Sequence, residues 1–212
     1  MNSAIDDTLL MLVIINPFAQ MVYLSRLIED TTPKQFANIY GQGIAMTLGV
    51  CLLCAFVGEF VLFKVFQITL PAMRVFGGLI NLQLAYSYVM KGPEGIKLFR
   101  GDITQLAQQI ALPVMVGAGV VWVSIRIGKS HPPLATAGII FAAIAINGAA
   151  VLLYQLLLNR VKGRLRTAVI KYFGMAMRLN AMLIGAVSIQ MILGGALEFI
   201  ALHAPAAAAD IP

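Results

Sequence analysis

The chain has 212 residues, of which 60% are hydrophobic and 11% charged, with a formal net charge of +6 and a mean hydropathy of +0.88. A water-soluble domain of this size has no use for so much apolar surface, which excludes the soluble enzyme and nucleic-acid-binding classes. The positive charge therefore has to be explained by something other than DNA or RNA.

Six apolar runs follow one another at 8–26, 40–63, 71–90, 107–127, 134–158 and 179–202. Each approaches or exceeds the roughly 20 residues that carry a helix across a hydrocarbon core about 30 Å thick. They are continuously apolar, whereas barrel strands alternate over segments of about ten residues, so helices are the only way to satisfy their backbone in lipid. The first run follows Asp6 and Asp7 rather than a basic stretch and contains Asn16-Pro17, which predicts a spanning helix instead of a signal peptide. Pro17 supplies no backbone donor and crowds the carbonyl four residues earlier, so the helix bends or opens near mid-membrane. The second run holds Cys51-Leu-Leu-Cys54 and, at its outer end, Glu59, an acid inside a predicted span. A carboxylate snorkelling towards Lys64 accounts for Glu59 better than a proton relay, which needs a deeper acid. The third run carries Gly77, Gly78, Asn81 and Gln83, and a connecting loop at 93–106 follows. The fourth carries Gly117-Ala118-Gly119 and Ser124, the fifth Asn147 and Gln155, and the sixth Asn180, Ser188 and Gln190 before a short tail at 203–212.

The cations set the orientation. Eleven of the 15 Lys and Arg residues follow the first, third and fifth runs, including Arg160, Lys162, Arg164, Arg166, Lys171 and Arg178; only Lys64, Arg74, Arg126 and Lys129 lie on the other side. Basic loops stay cytoplasmic, which places both termini outside, in the periplasm. The basic segment reads as an orientation signal touching lipid headgroups, with a cytoplasmic partner as the alternative.

An offset of 101 aligns the halves: Ala85, Ser87 and Met90 fall on Ala186, Ser188 and Met191, Val13 and Val22 fall on Val114 and Val123, and Asn16 falls on Gly117. Three helices per half is odd, so the second half enters the membrane from the opposite face. The expected fold is an all-α membrane protein of six transmembrane helices in one integral domain. Two inverted three-helix repeats, 1–92 and 107–202, have broken or kinked first and fourth helices. Interrupted helices at corresponding positions point to a transporter's binding site, where helix N-termini offer partial positive charge to a carboxylate. The candidate substrate-binding residues are Asn16, Pro17, Gln20, Gly77, Gly78, Asn81, Gly117, Gly119, Ser124 and Asn147. Proline kinks and close glycine packing are the structural alternative for Pro17 and for the glycines.

Cys51 and Cys54 raise a thiol redox carrier as another class. A reactive pair sits at a helix N-terminus with access to its partner, and these lie inside a helix where burial disfavours the thiolate. His131 and His203 form no metal-ligand spacing, and no phosphate loop is present, so neither catalysis, metal nor cofactor is expected.

Ile15-Asn16-Pro17-Phe18-Ala19, Arg74-Val75-Phe76-Gly77-Gly78 running to Met90-Lys91-Gly92, Leu112-Pro113 to Gly117-Ala118-Gly119, and Gln190-Met191-Ile192-Leu193-Gly194-Gly195 resemble, in order, the MarC family of bacterial inner-membrane proteins. The resemblance implies six membrane helices and transport of small neutral amino acids such as glycine, alanine and serine. The chain departs from the family pattern at Ala19, Val22 and Ala118, where the family has glycine, proline and proline. The expected activity is carriage of a small neutral amino acid or similar zwitterion by alternating access in the bacterial inner membrane. The alternative is a non-transporting membrane protein acting through its basic cytoplasmic loop.

Overall fold

A computed structural model describes residues 3–91 and 103–203. Among them the chain is helical throughout its regular elements: α1 (Ser3–Ile15), α2 (Pro17–Asp30), α3 (Pro33–Phe60), α4 (Leu70–Lys91), α5 (Ile103–Gln109), α6 (Ala118–Ser130), α7 (Pro133–Arg160) and α8 (Gly163–His203). α3 ends in a widened π-helical turn, Val61–Val65, and α5 runs into another, Ile110–Met115. The predicted 93–106 connection lies outside the described residues as far as 102, and from Ile103 the chain is helical. Of the predicted 203–212 tail, His203 closes α8 and 204–212 lie outside the described residues.

The boundaries follow local chemistry. Thr32 and Gln35 form a reciprocal capping box at the start of α3, with the Thr32 hydroxyl accepting from the Gln35 N–H at 3.3 Å and the Gln35 side chain accepting from the Thr32 N–H at 3.0 Å. Pro33 and Pro133 occupy the first positions of α3 and α7, where a missing N–H costs nothing. Gly163 turns the short connection into α8 with φ +56°.

Both halves repeat one element order: an interrupted helix, then a 28-residue helix, α3 or α7, then a partner of the α4–α8 pair. α4 packs along α8, α3 against α6 and α7, α1 and α2 against α7, α4 against α6, and α2 against α8. Met11, Leu24, Phe36, Tyr40, Val123, Ile140 and Val151 fill the interior. Leu134, Leu153, Leu179, Leu193 and Leu197 point outwards, each at least 60% exposed. Such a surface aggregates in water and is matched by lipid.

Among the described residues four helices are long and apolar enough to cross a membrane: 4–30, taken across its break, 33–60, 133–160 and 163–202. The predicted spans 71–90 and 107–127 correspond to α4 and α5–α6, which fall outside that set. Protein covers much of both: α4 buries Gly77, Gly78, Asn81, Ala85 and Tyr88, and α6 buries Gly119, Val120, Trp122, Val123 and Ser124. A helix shielded by its neighbours need not be apolar all round.

Three local expectations change. The sixth helix begins at Gly163 rather than near 179, because the basic stretch is rich in helix-forming Arg, Leu, Ala and Met. Glu59 pairs with Lys129 at 2.8 Å, not with Lys64. Asp7, placed before the first run by the sequence reading, lies inside α1 at 3% exposure and binds Arg126 at 3.0 Å and His131 at 2.8 Å, fastening α1 to the end of α6.

Candidate substrate site at two helix breaks

The first break is built by two consecutive residues. Pro17 has no N–H to give the carbonyl of Val13, and the Asn180 side-chain amide of α8 donates to that carbonyl instead, at 3.2 Å. Asn16 takes the left-handed conformation, φ 56° and ψ 75°, which Asn tolerates better than most residues with a side chain. Its Oδ1 then accepts the N–H of Ala19 at 3.0 Å and caps α2. Its Nδ2 is buried and makes no hydrogen bond.

Below the cap lies a closed polar network. The Gln20 amide donates to the Ile15 carbonyl at 3.1 Å, satisfying the end of α1, and to Asn147 Oδ1 at 3.2 Å. Asn147 donates back to Gln20 Oε1 at 3.1 Å and to the Tyr40 hydroxyl at 3.2 Å, while Tyr40 donates to Gln20 Oε1 at 3.0 Å. Gln20, Tyr40 and Asn147 are all 0% exposed. Three elements, α2, α3 and α7, are thereby fixed in register around the break.

At the second break, the π-helical turn ends with the Val116 N–H bonded to the Ala111 carbonyl at 2.9 Å, and the backbone extends at Gly117 with φ −95° and ψ 173°. The interruption is present although residue 118 is alanine. α6 then starts with no side chain capping it. A Cβ at Gly117 would meet nothing within 4 Å, so there is free space beside this N-terminus. Beside them lies Asn81, 3% exposed, whose Nδ2 would be 1.9 Å from a Cβ at Gly119 and makes no hydrogen bond. Only glycine at 119 leaves room for that amide. Gly77 also brings α4 near, since a Cβ there would sit 3.2 Å from the Ala118 carbonyl.

The candidate residues therefore gather in two groups. Gln20 and Asn147 meet at the first break with Asn16 and Pro17 directly above; Gly77, Asn81, Gly117 and Gly119 meet at the second. Gly78 faces α8 instead, against the Ser188 carbonyl, and Ser124 donates back to Val120 of its own helix at 2.8 Å. Tyr40 and Asn180 belong to the first group and were not singled out from sequence; Asn180 carried a signal as an amide inside an apolar run, whereas a tyrosine at the edge of one carried none. Cys51 and Cys54 remain free thiols one turn apart on α3.

A bundle with long apolar helices, a lipid-compatible exterior and buried amides at helix interruptions defines an all-helical integral membrane protein. The chain belongs to the MarC family of integral membrane proteins, whose model matches residues 1–200. It is 25% identical over 197 residues, 92% of this chain and 94% of the relative, to the UPF0056 membrane protein PH0214 of Pyrococcus horikoshii. No solved structure matches it.

Proposed function

We propose that this protein carries a small neutral amino acid or similar small zwitterion across the bacterial inner membrane by alternating access. One observation carries the reading: the N-terminus of α6 has no side-chain cap, has free space beside Gly117, and lies next to the unpartnered, buried amide of Asn81. Amide donors left unpaired in a membrane interior are costly, and a carboxylate is their natural acceptor. Asn16 offers a second unpartnered donor at the corresponding break of the other half.

The six-helix inverted repeat is part of the same proposal. Exchanging the halves turns the α3–α6 contact into α7–α2, α3–α5 into α7–α1, and α4–α6 into α8–α2, and each of these partners is in contact. Rocking one half against the other exposes the broken helices to alternate faces. With both termini periplasmic, the Arg160 to Arg178 stretch faces the cytoplasm.

Counterflow of labelled glycine, alanine and serine in proteoliposomes tests the function. Saturable exchange by the wild type, abolished in folded Asn16→Ala, is the expected result. Folded wild-type protein that exchanges none of the three would sink the reading.

A further inference from the structure

A cavity of about 530 Å³ lies at the end of the bundle where α1 begins, away from the Gln20 network, between α1, α4, α6 and α8. It is unlike the rest of the interior in being charged: Asp6, Asp7, Arg74, Arg126 and Glu198 line it, with Trp122 and Gln190. Most of these charges are matched within the wall. Asp7 is held by Arg126 and His131, and Glu198 by Arg74. Arg74 and Arg126 both lie over the Trp122 ring, 5.3 and 5.8 Å from its centre, so the indole spaces two cations that would otherwise repel each other.

What remains unmatched is complementary. Arg74 Nε and Trp122 Nε1 are buried donors without a hydrogen bond, and Trp122 is only 5% exposed. Two donors of this kind, one on a guanidinium, suit the two oxygens of a carboxylate. In the same cavity Asp6 carries a carboxylate with no ion pair among the described residues, suited to an ammonium. Gln190 adds an amide able to serve either group.

We propose that this cavity is a separate entry site that holds a small zwitterion before it reaches the broken helices, with Arg74 and Trp122 taking the carboxylate and Asp6 the ammonium. The choice of ligand rests on the carrier reading, but the site and its occupancy do not require transport. Paired charges in the wall keep the mouth near neutral, so a ligand of either single charge gains from one end only. A zwitterionic lipid headgroup shares the ammonium and offers a phosphate in place of the carboxylate.

Trp122 is the single tryptophan of the chain, so occupancy is readable as intrinsic fluorescence of the purified full-length protein. Glycine, acetate, methylammonium and glycerophosphoethanolamine are titrated in turn. Glycine is expected to shift the emission saturably while acetate and methylammonium at equal concentration do not. Asp6→Asn is expected to raise the half-saturating glycine concentration about tenfold or more, as loss of a charged hydrogen bond should. Asn16→Ala is expected to keep the response while blocking counterflow. In counterflow, Trp122→Phe is expected to raise the KM for glycine several-fold with Vmax unchanged. Size-exclusion chromatography of each variant confirms folding.

An equal response to acetate would overturn the proposal in favour of a simple anion site, and tighter binding of glycerophosphoethanolamine than glycine would overturn it in favour of a lipid seat. An unchanged glycine response in folded Asp6→Asn also overturns it. Wild-type protein that exchanges glycine without any fluorescence response loses the entry site and keeps the carrier; a response without exchange does the reverse.

Discussion

Gln20, Tyr40 and Asn147 show how a polar group survives in the middle of an apolar bundle: each bonds to the other two, and Gln20 also to the Ile15 carbonyl. Removing one member strands the rest. Gln20→Leu should cost about 2 kcal/mol by leaving the Asn147 amide and the Ile15 carbonyl short of partners, whereas Gln20→Leu combined with Asn147→Leu should cost less than the sum of the two single changes. Thermal unfolding of the four proteins in detergent gives the coupling; additive losses would mean the network is not a unit. The sequence made Gln20 and Asn147 visible, since an amide inside an apolar run demands a partner. It could not make Tyr40 visible, because an aromatic side chain near a helix end is as readily explained by packing or by the membrane interface. Asp7 escaped for a different reason. An acid near the N-terminus reads as solvated until Arg126 and His131, more than a hundred residues later, are brought to it.

At the scale of the element, the first break is an interruption with several of its loose backbone groups tied. Asn16 caps α2, Asn180 supplies the Val13 carbonyl and Gln20 supplies the Ile15 carbonyl. If the break exists for the ligand, repairing it should harm transport without harming the fold. Asn16→Ala with Pro17→Ala permits a continuous helix over 3–30, in which the Val13 carbonyl regains a backbone donor. In this background Asn180→Leu should cost little stability, whereas in the wild type it should cost about 1–3 kcal/mol by leaving that carbonyl unpaired. Counterflow should be lost in the repaired protein. Wild-type exchange rates in the repaired protein would show that the interruption is a packing feature alone. The breaks themselves were legible from Asn16-Pro17 and from the glycines at 117 and 119. Helix ends were less so: hydropathy stops at charged residues, and the helix containing Arg164, Arg166 and Lys171 does not, since long basic side chains reach water from a helix as easily as from a loop.

The whole molecule poses the question of handedness in the membrane. α8 has 41 residues, about 60 Å at 1.5 Å per residue, roughly twice the hydrocarbon thickness, so it either tilts or projects beyond the lipid. Its basic first turns come before the apolar remainder, and Arg166 approaches Glu29 at 3.9 Å, which puts the start of α8 and the end of α2 at one face. On the proposed six crossings the turns alternate: Thr31 and Lys162 fall in the cytoplasm, Gln67 and Ser130 in the periplasm. Thr31 caps α2 and Ser130 ends α6, so the two lie at corresponding ends of the interrupted helices, and inversion requires them on opposite sides. With Cys51 and Cys54 replaced by serine, a single cysteine at Gln67 or Ser130 should react with an impermeant maleimide added to intact cells. A cysteine at Thr31 or Lys162 should react only after the membrane is opened. Labelling of Thr31 and Ser130 from the same side would rule out the inverted repeat.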